Sequence, residues 1–104
     1  MKITNDPYLD FIRHKLCLVN KDCEYWRTGA GYVADPHHVE GKGYRSERRN
    51  DFHTVPLCRK HHTEIGNSDP AEFAEKYSLD IWKEVSYLRA EFDNREDKRA
   101  EDRL

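Results

Sequence analysis

Three cysteines and one histidine constrain this chain more than any other feature. Cys17 and Cys23 lie near the N-terminus with five residues between them, and Cys58-x-x-His61 lies in the middle of the sequence. The second pair places a thiolate and an imidazole one turn apart at the start of a helix, a normal half-site for structural zinc. Cys17 and Cys23 complete the set if the segment LVNKD bulges, since five intervening residues exceed the common two to four. The count of thiols is odd and the start, MKITNDPYLDF, lacks the apolar core of a signal peptide, so reduced thiols in the cytoplasm are expected rather than a disulfide framework. The competing reading makes the cysteines small buried apolar residues. With 104 residues the chain has room for one small domain, residues 1–104, whose core needs reinforcement; a zinc tying the N-terminal loop to the helix would supply it.

The expected elements follow from capping residues and periodicity. Pro7 opens a first helix after the capping candidates Asn5 and Asp6, with Tyr8, Leu9, Phe11, Ile12 and Leu16 as its apolar stripe and an end near Cys17. The segment from Cys17 to Asp35 reads as a loop punctuated by Gly29 and Gly31, leading to a short strand around Tyr32 to Val39. Gly41 to Asp51 is an exposed glycine-basic loop, Phe52 to Leu57 a second strand with Pro56 at an edge or strand end, and Cys58 to Ile65 a helix stopped by Gly66 and Asn67. Ser68 or Asp69 caps a short helix from Pro70, and Asp80 a longer one whose Ile81, Val85, Leu88 and Phe92 form a buried stripe. The motif core thus spans about 17–65 and a helical extension about 68–104. The charged end beyond Asp93 reads as a solvated helix end, with a partner-binding role as the alternative. No apolar run approaches the roughly 20 residues of a membrane span.

Five of the six histidines fall between His37 and His62: the pair His37-His38, then His53, then the pair His61-His62. Adjacent side chains on a strand or helix point in different directions, so each pair divides its duties. With His61 on zinc, His62 faces the first strand, and a second metal fits between it and His37-His38. There a divalent ion can neutralise a phosphate oxygen while a neutral imidazole removes a proton from water. A purely structural histidine cluster is the alternative. The chain's net charge of −2 hides a basic centre: residues 37–62 carry six basic and three acidic side chains, against seven and twelve in residues 63–104. Lys42, Arg45, Arg48 and Arg49 in the linking loop are candidates to hold a nucleic-acid backbone, with simple surface charge as the alternative. Asp35 and Asp51 are alternative metal ligands, although Asp35 reads better as a turn residue before Pro36.

DPHHV and TVPLCRKHH together resemble the HNH endonucleases. The resemblance covers about residues 17–65 and implies a ββα-metal (His-Me finger) core within a small α+β domain: a two-stranded antiparallel ribbon and a helix, flanked by helices and a structural zinc site. It implies His37 and His62 as ligands of a catalytic Mn²⁺ or Mg²⁺ and His38 as general base. His53 stands at the position of the family's middle Asn, nine residues before His62, where it would orient His38 through its loop. Many members carry a zinc site straddling the motif; here His61 stands where the second cysteine of CxxCH would be. The implied activity is DNA hydrolysis, one strand nicked at a time on double-stranded DNA, as in small manganese-dependent members. A non-catalytic zinc module binding nucleic acid or protein is the rival reading, and a nuclease acting on RNA a further one.

Overall fold

The computed structural model describes residues 3–28, 31–39 and 50–102. Asn5 starts the first helix, α1 (Asp6–Arg13): its side-chain oxygen accepts from the Tyr8 N–H, and Pro7 sits in the first turn, where a missing N–H costs nothing. The helix stops four residues before Cys17, earlier than the apolar stripe suggests, because the Arg13 carbonyl bonds to Ala34 N–H at 2.8 Å. Leu16, the last residue of that stripe, is 67% exposed. The chain instead turns inward at Cys17.

Two short antiparallel hairpins follow. The first pairs β1 (Trp26–Thr28) with β2 (Gly31–Val33), a ribbon where the sequence suggested loop. Gly31 has φ +113°, a value side-chain-bearing residues rarely adopt, which is why glycine opens β2. The expected single strand from Tyr32 to Val39 is broken at Ala34, whose N–H is spent on α1, and resumes as β3 (Asp35–His38). β3 pairs with β4 (Thr54–Leu57), His37 opposite Val55 and His38 opposite Thr54. Pro36 faces Pro56, so Pro56 lies within the strand rather than at its end, and the strand is an edge, as both strands of a two-stranded sheet are. A two-stranded ladder accommodates this where opposed residues exchange no N–H, and the outward Pro56 carbonyl accepts from Leu18 N–H at 3.0 Å.

β4 runs directly into α2 (Arg59–Gly66), capped by Cys58 and ended at Asn67. α3 (Pro70–Lys76) is capped by Asp69, and α4 (Ile81–Asp102) starts after Asp80, whose carboxylate accepts from Lys83 N–H. The core gathers Tyr8, Phe11 and Ile12 of α1, Val55 and Leu57 of β4, Ile65, Phe73, and Ile81, Val85 and Leu88 of α4. Tyr8 packs between Phe52 and Phe92 at 4.9 and 5.0 Å between ring centres, joining the two ends of the chain to the central ribbon. The fold is therefore a small α+β arrangement in which the β3–β4 ribbon and α2 present the histidines. Among the described residues no helix is long and apolar enough to cross a membrane.

Candidate functional site

Two clusters share the first turn of α2. In the first, Cys17, Cys23, Cys58 and His61 hold their ligand atoms within 4.8 Å of one another. The His61 Nδ1 atom lies 3.0 Å from the Cys58 sulfur and 3.6 Å from those of Cys17 and Cys23. The wide Cys17–Cys23 spacing closes because Asn20 and Asp22 adopt left-handed backbone (φ 49° and 52°), a conformation that Asn and Asp tolerate, and the loop doubles back. Arg59 N–H donates to the Glu24 carbonyl at 2.7 Å, locking this loop to the start of α2. Cys17, Cys58 and His61 are buried.

The protonation of this group is uneven. Burial pushes the Cys23 thiol up to about 11, reinforced by hydrogen bonds with the thiols of Cys17 and Cys58. At Cys58 burial also acts upward, but hydrogen bonds from the His61 and Glu24 backbone and from the other two thiols outweigh it and lower the net value. Burial lowers His61, keeping its imidazole neutral. Three sulfurs and a neutral nitrogen in this geometry are compatible with tetrahedral zinc, and metal uptake there must expel thiol protons. Among the described residues, no other group of three or more potential ligands comes together in this way.

The second cluster contains the remaining histidines of the motif. His37 on β3 and His62 on α2 meet edge to face, their ring centres 5.4 Å apart. Burial, followed by the neighbouring charges of His62 and His38, pushes His37 down to about 4, leaving it neutral near pH 7. His62 Nδ1 lies 2.9 Å from Asp35 Oδ2, and the Arg59 guanidinium lies 3.7 Å from the same oxygen. Asp35 is thus the first residue of β3, holding an imidazole, and is not a turn residue. Because a carboxylate accepts, the His62 Nδ1–H donates to it and the Nε2 lone pair is left for a ligand.

His38, next along β3, has its Nε2 atom 2.8 Å from Oδ1 of Asp51, a carboxylate that is 1% exposed. From the sequence alone Asp51 is no more than an alternative metal ligand. The signal for it lay in the hairpin register, which brings the residues just before Thr54 back alongside those following His38. His53 occupies the turn before β4, outside the strand expected to include it. Its carbonyl accepts from Val39 N–H at 2.7 Å, one step beyond the paired strands, and its imidazole meets the Trp82 ring edge to face at 5.2 Å. His53 therefore holds the end of β3 through its backbone, while Asp51 brings a carboxylate against His38. Lys42, Arg45, Arg48 and Arg49 lie outside the described residues.

Comparison with known proteins adds membership rather than chemistry. Over 49 residues, 45% of this chain, it is 42% identical to the uncharacterized protein YdfU of Escherichia coli (strain K12), and that match spans 14% of the relative's length. No solved structure matches. The family model described as protein of unknown function (DUF968) matches residues 1–91, and the chain belongs to that family.

Proposed function

We propose that the chain is a divalent-metal-dependent endonuclease that hydrolyses phosphodiester bonds in double-stranded DNA, nicking one strand at a time on a ββα-metal core. The observation that carries this reading is the meeting of the His37 and His62 rings between β3 and α2, with His38 next along β3, where two of these three imidazoles are held by carboxylates. The motifs that resemble HNH endonucleases assign these same residues their roles.

His37 and His62 would hold the catalytic ion; His37 is neutral near pH 7 and His62 keeps its Nε2 lone pair for coordination. When bound, the ion supplies charge neutralisation at a phosphate oxygen and at the leaving oxygen, and a two-histidine site suits Mn²⁺ better than Mg²⁺. His38 takes the proton from water as the water oxygen attacks phosphorus. The bond from phosphorus to the 3′ oxygen breaks, and that oxygen takes a proton from solvent, leaving a 5′-phosphate and a 3′-hydroxyl. The Cys17, Cys23, Cys58 and His61 zinc site is scaffold, fixing the start of α2 and hence the direction of His62. Lys42, Arg45, Arg48 and Arg49 are assigned to the DNA backbone by their charge and their place between the two strands of the motif.

A second reading, a non-catalytic zinc module, is favoured by one observation: only the cysteine-histidine group brings four ligand atoms together among the described residues. Supercoiled plasmid separates the two. Incubation of zinc-loaded protein with Mn²⁺ is expected to yield open circles before linear DNA, with less product in Mg²⁺ and none in excess chelator. Intact supercoils under every divalent ion, at protein concentrations that bind the plasmid, would favour the zinc module.

A further inference from the structure

A buried carboxylate is costly unless every oxygen is engaged, so its partners report what it is for. Asp51 is fastened on three sides: its Oδ2 accepts from Asn5 N–H at 2.9 Å, its own N–H donates to the Ile3 carbonyl at 2.9 Å, and its carbonyl accepts from the Thr54 hydroxyl at 2.9 Å. The remaining oxygen, Oδ1, faces His38 Nε2 at 2.8 Å, while the His38 side chain keeps 18% of its surface open. The Ile3 carbonyl and the Thr54 hydroxyl thus fix the Asp51 backbone and the Asn5 N–H fixes one oxygen of its carboxylate, with the other oxygen against the residue assigned as base.

We infer that Asp51 is a positioning residue for His38. It holds the ring in place and keeps the hydrogen on Nε2, so that Nδ1 presents the lone pair that accepts the proton of the attacking water. An ionised carboxylate can only accept, which fixes the hydrogen on the facing nitrogen. When Nδ1 takes its proton, the resulting imidazolium already has a counter-charge at 2.8 Å. The role in proton transfer rests on the endonuclease reading; the tautomer of His38 does not.

Asp51→Asn distinguishes these points because the Asn5 N–H dictates how the carboxamide must sit. That N–H needs an acceptor, so the amide oxygen takes the Oδ2 position and the amide nitrogen turns toward His38. Facing a donor, Nε2 must accept, and the hydrogen moves to Nδ1, the nitrogen needed as base. In nitrogen-15 spectra of metal-free-at-His62, zinc-loaded protein, His38 is expected as the Nε2–H tautomer in wild type and as the Nδ1–H tautomer in Asp51→Asn. Plasmid nicking is expected to fall by roughly three to four powers of ten, with zinc content unchanged. An Nδ1–H tautomer in wild type, or a variant that keeps both the Nε2–H tautomer and wild-type nicking, would overturn the inference. Should the variant lose zinc and fold, the wild-type tautomer alone decides the matter. Wild-type protein with the Nε2–H tautomer but no nicking in any divalent ion would discard the endonuclease reading and leave the hold of Asp51 on His38 standing.

Discussion

Asp35 and Asp51 use one device on opposite nitrogens. Asp35 engages Nδ1 of His62 and Asp51 engages Nε2 of His38, so the two rings expose different nitrogens. The histidines were legible in the sequence because five of them crowd one stretch, and Cys58-x-x-His61 declared its partner cysteines. The carboxylates were not, because a single aspartate carries no local signature: Asp51 meets its imidazole through the register of the ribbon and Asp35 through the placing of α2 against β3. Titration of His37 gives a residue-scale prediction. Its folded value of about 4 lies below the ordinary 6.5, so on acidification the unfolded chain binds the proton first. Stability attributable to keeping His37 neutral is therefore complete above pH 6.5 and declines through the window down to about 4. Urea titrations of zinc-loaded protein without Mn²⁺ or Mg²⁺ are expected to show a steeper acid loss for wild type than for His37→Asn; parallel losses would contradict it.

At the scale of elements, the helix starts were the easiest parts to read. Asn5, Asp69 and Asp80 cap as their side chains dictate, and Cys58 caps α2 while offering its sulfur to the metal group. The breaks were harder: α1 ends early and the strand from Tyr32 to Val39 is divided because a single long-range bond, Ala34 N–H to Arg13 carbonyl, belongs to neither element's local pattern. The β1–β2 ribbon likewise pairs strands of three residues, too short to show a periodicity in the sequence. Asn5→Ala is expected to cost about 1 kcal/mol of stability through the lost cap. Guanidinium denaturation checks this, and a change below a few tenths of a kcal/mol would mean that the first turn of α1 is held by its packing alone.

Across the whole molecule, one small core is held by aromatic packing at one side and by the cysteine-histidine group at the other. Lys15 pairs with Glu91, adding a link between the end of α1 and α4. Because the cysteine-histidine group joins residues 17 and 23 to residues 58 and 61, zinc held there would couple its binding to folding. Dialysed protein is expected to keep about one zinc per chain, and Cys58→Ser to keep little, with a thermal midpoint lower by many degrees. Metal-free protein melting at the same temperature as the zinc-loaded form would contradict that coupling.

The division of labour between the two clusters is tested most directly by His38→Ala, assayed for plasmid nicking and zinc content in the same preparation. The expected result is one zinc per chain with nicking in Mn²⁺ reduced at least a hundredfold, the roughly 10²–10⁴ that a positioned general base contributes. Wild-type nicking by the zinc-loaded variant would contradict the assignment of His38 as the base.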